Sequence, residues 1–559
     1  MRGAAFRAPH SFPFTSMLSS LHSRLKKLDS LDWRPQLFLL AVLSLMLLPW
    51  LGDILFNSKG EPREAIVAVS ILDSGNWILP TSFGHDIPYK PPFLAWLIAV
   101  FSLLFNGGEV NEYLSRLPSA LAYIALCWGT FRWVAHVRGW RFAMIVALML
   151  ATSVEVFRAG IACRVDMVLT VCSVLPVFIL DRSRGNHALW RYVAAVLLLS
   201  CATLTKGPVG TLLPCLVAGV YFLLAGERFW PTLGRLSAVC LLSLVIPALW
   251  YLAAWKQGGS TFLSLAYEEN ILRLLGKMPY ESHVNPWWYN FLTLAAGLLP
   301  WTLLLILVPA CLRSRIFNLG RLRRWIRRLS PQALLAATAV VIIVVFYTIP
   351  ASKRSVYLLP AYPFLAYGLA AAFLKVRGLW PSAVMAWLLS SLSLAAPVAV
   401  LLYGVAHDTH ISELGIVTLL PPLVCGAWWV LRRDRPVWSA VLCAAALYMM
   451  YAGAVGPTVL NPRSDRDVAL RLATERPTGH IYQLGNLPGQ RAYTLNYYLH
   501  DRVLPCAQAP AQAPAGSRMI VLAGTDTTGL AAAGWSRPDT VLTRSCDFRS
   551  PLMISEKLR

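Results

Sequence analysis

The chain is poor in charge and poorer still in acid. Only 14% of its 559 residues are charged, whereas soluble domains carry roughly 25%. Asp and Glu together number 27 against 50 Lys and Arg. The eleven Cys form no CxxC pair and no zinc-type spacing, which leaves redox and zinc modules without support and assigns most thiols to apolar packing. No internal repeat is visible, and no RNA- or DNA-binding motif accompanies the formal net charge of +23, so nucleic acid is not an expected partner. What the sequence has in quantity is apolar residues, at 57%, with a mean hydropathy of +0.56. Several runs approach the ~20 residues that span a bilayer. The expected class is a polytopic α-helical membrane protein.

Fourteen apolar runs can be drawn: 35–55, 91–108, 117–135, 142–157, 166–181, 191–205, 208–225, 236–254, 291–312, 331–349, 357–374, 380–403, 413–431 and 436–453. If all crossed, Arg138 and Arg141 would lie opposite the basic N-terminal segment 1–34, and so would Arg313–Arg328, which holds seven Arg and no acid. Positive charge collects on the cytoplasmic side. Laying 91–108 flat on the outer surface restores that bias. It begins at Pro91-Pro92 and ends at Asn106-Gly107-Gly108. Thirteen spans then result, with a cytoplasmic N-terminus, an uncleaved first helix and an outer C-terminal segment. The expected location is a bacterial inner membrane.

This topology gathers polar segments on one face. The first is 57–92, the densest charged stretch among the early runs, inside an outer region 57–116. Pro62 suits a first helical position and Ser74-Gly75 a stop, so a surface helix is predicted over 62–73. The others are Arg158 to Asp166 (RAGIACRVD), Thr205-Lys206-Gly207-Pro208, the loop 256–290, and Ser352 to Tyr357 (SKRSVY). The loop 256–290 carries His283 and an aromatic run, Trp287-Trp288-Tyr289, whose default meaning is an interfacial belt. From 455 the composition changes. HIYQLG (480–485), YTLNYYLH (493–500), RMIVLAG (518–524), DTVLTRS (539–545) and LMISEKL (552–558) alternate strand-like and helical signals. A small α/β domain is expected over 455–559, after a transmembrane domain over 35–454. Cys506 and Cys546, the two Cys of this region, are candidates for a disulfide in an oxidising compartment, with two free thiols as the equal alternative.

Two carboxylates stand at span ends on the shared face, Glu61 and Asp166, with Arg63 and Arg164 beside them. A carboxylate near a cation stays ionised and can serve as a base or bind a metal. Lys90, Lys206, Lys353 and Arg354 lie on the same face, and clustered cations suit a phosphate. The plainer reading is ion pairing that orders loops. Charges in a membrane protein favour the ligand reading.

The pattern GEPREA…SGNWILP…YKPP…W, then RVDMVLT, TKGP and SKRSVYLLPAYP, resembles the polyprenyl-phosphate-dependent membrane glycosyltransferases of the GT-C fold, which include the protein O-mannosyltransferases and the lipid A aminoarabinose transferase. The resemblance covers about residues 35–375. It implies a lipid-phosphate sugar donor, an outer-face cavity and transfer with loss of the lipid phosphate. Glu61, Lys90, Asp166, Lys206, Arg354 and Tyr357 are the residues it carries over. Two departures stand out: where the family usually has an Asp-Glu pair this chain has Gly60-Glu61, and Tyr89 precedes Lys90 where the aminoarabinose transferases have Glu.

The resulting expectation is an inverting glycosyltransferase using an undecaprenyl-phosphate sugar. Glu61 and then Asp166 are the candidate catalytic carboxylates; Arg63, Lys90, Lys206, Lys353, Arg354, Tyr357 and His283 are the candidate substrate contacts. The expected partners are that donor, membrane lipids and a lipid or protein acceptor. A divalent metal is compatible with the residues and not required by them. A lipid-linked sugar transporter or flippase, and a non-catalytic lipid-phosphate binder, are the alternatives. The first should show inverted repeats, and the second would need the cations without the carboxylates.

Overall fold

A computed structural model of the chain describes residues 32–88, 90–184, 188–272, 277, 283–311, 329–375, 380–475, 480–485, 491–522, 525–542, 545–548 and 551–558. The basic N-terminal segment up to residue 31, Tyr89, Arg273 and the whole Arg313–Arg328 segment lie outside these. Helices α1 (Trp33–Leu47), α2 (Pro62–Ser74), α3 (Phe93–Phe105), α4 (Glu112–Arg138), α5 (Trp140–Ala151), α6 (Val154–Gly160), α7 (Val165–Arg182), α8 (Leu189–Lys206), α9 (Val209–Leu224) and α10 (Phe229–Tyr267) form the first half. They are followed by α11 (Tyr289–Gly297), α12 (Leu303–Cys311), α13 (Pro331–Thr348), α14 (Tyr362–Lys375) and α15 (Trp380–Ala406), then α16 (Glu413–Val417), α17 (Leu420–Arg432) and α18 (Pro436–Met450).

Local chemistry sets several of these boundaries. Pro62 opens α2, and Gly75 closes it in a left-handed conformation (φ 67°) while donating its N–H to the Ile71 carbonyl. This is the expected helix, one residue longer. Asn111 caps α4 by accepting from the Leu114 N–H. The apolar exterior is the membrane signature. On α10, Leu241, Leu242, Val245, Ile246 and Leu249 are exposed; on α15, Leu388, Leu392, Val398, Leu402 and Val405 are. Continuous apolar stripes on this scale are costly in water and neutral in lipid. Polar residues turn inward instead: Ser200, Thr203, Thr211 and Ser243 hydrogen-bond one another or nearby carbonyls between α8, α9 and α10.

Among the described residues, eight helical stretches are long and apolar enough to cross a membrane, or nine if α5 and α6, bent by 72°, count as one span. The expected thirteen is not reached by that measure. α7 carries Asp166, Asp181 and Arg182, and the run 291–312 is divided between α11 and α12. The segment expected to lie flat, 91–108, contains α3, whose 13 residues extend only about 20 Å at 1.5 Å per residue, short of a ~30 Å hydrocarbon core.

The C-terminal region follows α19 (Gly456–Leu460) and comprises α20 (Arg466–Glu475), α21 (Tyr493–Tyr498) and strands β1 (Ile481–Leu484), β2 (Val503–Cys506), β3 (Arg518–Leu522), β4 (Asp539–Leu542) and β5 (Leu552–Glu556). The sheet order is β2-β1-β3-β5-β4. β1 pairs in parallel with β2 and β3, while β5 runs antiparallel to β3 and β4. The sheet packs α20 and α21 over a core of Val468, Leu472, Leu495, Val503, Ile520 and Leu552. Cys506 and Cys546 are both free thiols. Cys506 sits on β2, where its thiol faces the Gln483 carbonyl, and the Cys546 N–H is held by Asp465. The disulfide is therefore not formed here.

This region is fastened to the first polar segment. Phe83 inserts into its core and is fully buried. The Phe83 N–H donates to Asp501 Oδ1 at 2.8 Å, and Arg491 grips Asp86 through Nε at 2.8 Å and Nη2 at 3.3 Å. Tyr498 accepts from the Phe56 N–H and donates to Glu112 at 2.7 Å.

Candidate active site

The site lies where α2, the start of α7, the end of α8 and the turn before α14 meet. Each piece is positioned by its own local chemistry. The stretch after α2 is held by Asn76, whose side chain accepts from the Ile78 and Leu79 N–H groups, and by two indoles: Trp96 donates to the Trp77 carbonyl at 2.7 Å and Trp250 to the Ile78 carbonyl at 3.0 Å. At the end of α8, Gly207 adopts φ 86°, a region that disfavours a side chain, and Asn270 lies directly over it. That places the middle of the expected 256–290 loop, whose first residues instead continue α10 to Tyr267, beside Lys206. The far end of the same loop pairs with 351–353: the Lys353 N–H donates to the His283 carbonyl at 3.0 Å, and the Asn285 N–H to the Ala351 carbonyl at 3.3 Å.

The charged groups meet as carboxylate–cation pairs. Lys206 donates to Asp166 Oδ1 at 2.6 Å, bridging α8 to α7. Its ammonium lies 4.2 Å from the centre of the Tyr357 ring, a cation–π contact. The Tyr357 ring in turn stands 5.5 Å from that of Tyr347. Lys90 donates to Glu64 Oε1, and Arg63 is 3.5 Å from the same oxygen. Burial pushes the Glu64 carboxyl up, but Lys90 and Arg63 outweigh it and hold the group below the usual range. Asp166 and Glu64 are near enough to repel, so the two pairs form one cluster.

Glu61 behaves differently. Expected to face the space beside Lys90, it turns to Arg116, which donates Nε to Oε1 at 2.8 Å and Nη2 to Oε2 at 3.0 Å; the Cys163 N–H adds a third bond at 2.9 Å. Arg116 is 2% exposed and also caps the Leu51 and Ile54 carbonyls. Burial pushes the Glu61 carboxyl up, yet Arg116, the Cys163 N–H and Arg164 hold it below its ordinary value. With both oxygens engaged, Glu61 is placed to lock 60–61 against 161–164. It is not placed to take a proton from a substrate.

Lys353 is likewise diverted: its ammonium donates to the Asn285, Pro350 and Ala351 carbonyls and is buried. It fastens two loops. Arg354 points elsewhere, meeting His283 Nε2 through Nη2 at 2.6 Å, and its carbonyl accepts from the Tyr357 N–H at 3.1 Å. The expected set is thus brought together as Asp166, Lys206, Tyr357, Lys90 and Arg63, with Arg354 and His283 one turn away from Tyr357.

Sequence reasoning missed Glu64, Arg116, Glu155 and Tyr347. Glu64 and Arg116 interrupt otherwise apolar stretches, which is the signal that could have found them. Glu155 pairs with Arg158 at 2.6 Å. Among the described residues, no group of three or more His, Cys, Asp or Glu is arranged to hold a metal ion.

Residues 89–251 match the family described as dolichyl-phosphate-mannose-protein mannosyltransferase. A relative from Shewanella sediminis, named undecaprenyl phosphate-alpha-4-amino-4-deoxy-L-arabinose arabinosyl transferase, is 28% identical over 385 residues, covering 67% of this chain and 66% of its own length. One of the same name from Pseudomonas paraeruginosa is 25% identical over 450 residues, covering 76% of each. The crystal structure of ArnT from Cupriavidus metallidurans bound to undecaprenyl phosphate superposes with a TM-score of 0.69 at 21% identity, over 94% of this chain and 98% of that one.

Proposed function

We infer that this chain, a membrane glycosyltransferase of the GT-C class dependent on a polyprenyl phosphate, transfers a sugar from undecaprenyl phosphate to a lipid A or related envelope acceptor. The relatives' names and the ligand in the superposed structure motivate donor and acceptor. The observation that carries the reading is the cluster Asp166–Lys206–Tyr357 with Glu64–Lys90. Its members come from four separate segments, and each cation is held by a carboxylate that a phosphate could replace. The inner membrane, with the cluster and the C-terminal region on the periplasmic side, is the orientation the basic loops favour.

In this reading Lys90 and Lys206, with Arg354, receive the donor phosphate. The acceptor oxygen attacks the anomeric carbon as its bond to the phosphate oxygen breaks, inverting the centre, and the electron pair leaves on the lipid phosphate. Fixed cations stabilise that departing charge. Asp166, released from Lys206 as the phosphate enters, orients the acceptor or takes its proton when it is a hydroxyl. Glu61, the first candidate base, keeps a supporting role. A flippase or a passive lipid-phosphate binder would not require Asp166.

The test is mass spectrometry of lipid A and other envelope glycolipids from cells with and without the gene, complemented by wild type or Asp166→Asn. A sugar that appears with wild type only is the expected result. An unchanged glycolipid profile, or full transfer by Asp166→Asn, would overturn the assignment.

A further inference from the structure

Most cations of this cluster are engaged by a partner. Lys206 has Asp166, Lys90 has Glu64, Arg116 has Glu61, Arg158 has Glu155, and Arg354 has His283. The guanidinium of Arg164 makes no hydrogen bond and no ion pair among the described residues. It is half-buried and lies between the segments of Glu61 and Asp166, within electrostatic reach of both carboxylates. It rests on Gly60: a Cβ built there would come within 2.2 Å of Nη2 and 2.7 Å of Cζ. That approach is possible because residue 60 has no side chain. Its backbone is not left-handed, so another residue would fit the chain path but not the guanidinium.

An unpaired guanidinium beside buried carboxylates is a poor structural device. Partly stripped of water, it holds a planar array of donors that matches phosphate or carboxylate oxygens in twos. Gly60 stands where the resembling transferases usually have an acid, and an acid there would occupy Arg164 and cancel its charge. We propose that Gly60 and Arg164 together form an anion contact, with Arg164 hydrogen-bonding a phosphate oxygen of a bound substrate. This rests on the proposed function and adds a residue to its site. The phosphate is that of the lipid donor or that of the acceptor.

Gly60→Asp and Gly60→Asn separate charge from bulk, because the two side chains have nearly the same shape. Purified full-length protein in nanodiscs would be titrated with undecaprenyl phosphate and, separately, with diphosphoryl lipid A. Gly60→Asp should weaken one of the two by about tenfold or more, the scale of a lost charged hydrogen bond, and Gly60→Asn clearly less. Arg164→Gln should match Gly60→Asp, with partial recovery in Arg164→Lys. Loss confined to undecaprenyl phosphate assigns the contact to the donor, and loss confined to lipid A assigns it to the acceptor. Equal binding by Gly60→Asp and Gly60→Asn, or tighter binding by Gly60→Asp, overturns the role of Arg164 alone. Failure of the wild type to bind either lipid overturns the proposed function and this contact with it.

Discussion

Two regions of this molecule bury carboxylates, and they do so by opposite means. At the helical end every buried acid among the described residues is matched to a cation: Glu61 to Arg116, Glu64 to Lys90, Glu155 to Arg158, Asp166 to Lys206. In the C-terminal sheet region the buried acids Asp547 and Asp465 and the half-buried Asp501 are held chiefly by neutral donors. Asp547 accepts from the Thr494 N–H and hydroxyl, Asp465 from Ser545 and the Cys546 N–H, and Asp501 from Asn496 and the Phe83 N–H. Cation pairing holds Glu61 and Glu64 ionised, whereas at Asp547 and Asp501 the neutral donors do not offset burial. Asp547 is pushed up to about 7 by burial and the charge of Asp465, against the bonds from Thr494; Asp501 is pushed up to about 6, mainly by burial. Charge is therefore available at one end, where chemistry on a phosphate would need it. At the other, a proton substitutes for a counter-ion.

The largest effect expected from breaking this contrast is at Arg116. Removing one partner of a buried ion pair strands the other, at a cost of about 3–5 kcal/mol. Arg116→Met should lower the thermal stability of the purified protein by that order, and Glu61→Gln should restore part of it in the double variant. A double variant as unstable as the sum of the two singles would deny that the pair is the unit.

Next is the sheet region. An acid whose native value is raised stabilises the fold below its ordinary value near 4 and loses that contribution as pH rises through the native one. The C-terminal region should thus loosen between about pH 4 and 7, opposite to the usual loss of stability in acid. Asp547→Asn keeps the shape and cannot ionise. It should flatten the dependence and leave the region more stable at pH 8, by up to about 4 kcal/mol at 1.36 per unit. Hydrogen exchange across 491–558 in the intact chain reads this directly; an unaltered pH slope in the variant would reject it.

The contrast also explains what was legible beforehand. The membrane class, the helix over 62–74 and most strands are local in origin, written in hydropathy, in Pro62 and Gly75, and in short alternating runs. The resemblance to the GT-C transferases, carried by ordered motifs, is borne out by the matched family and the superposed fold. β2 escaped notice because it is an edge strand containing Pro505, where a proline is tolerated but masks the signal. Pairing was the harder part. Glu61 was read with its neighbour Arg63, yet its partner Arg116 is 55 residues away; Lys90 is 26 from Glu64. Nothing in the order of residues says which of several acids a given cation will meet once helices pack.

The smallest effect concerns the junction of the two regions, where Arg491 grips Asp86. The Arg491 side chain is 3% exposed, but Asp86 is 28% exposed, so solvent screens the pair and its worth falls toward that of a surface ion pair, about 1 kcal/mol. The other fastenings remain in Arg491→Gln: Phe83 stays in the sheet-region core, and its N–H still reaches Asp501. The variant should therefore raise the opening rate of the C-terminal region about fivefold in hydrogen exchange, with a weaker dependence on salt than the wild type. Transfer activity should stay within about twofold, since Asp86 is bound to Arg491 and to the Ser82 backbone, whereas Glu64 is bound to Lys90. A loss of transfer as deep as that of Asp166→Asn would break the comparison. It would mean that the sheet region, through the 82–86 turn, sets the position of Lys90 and belongs to the catalytic unit.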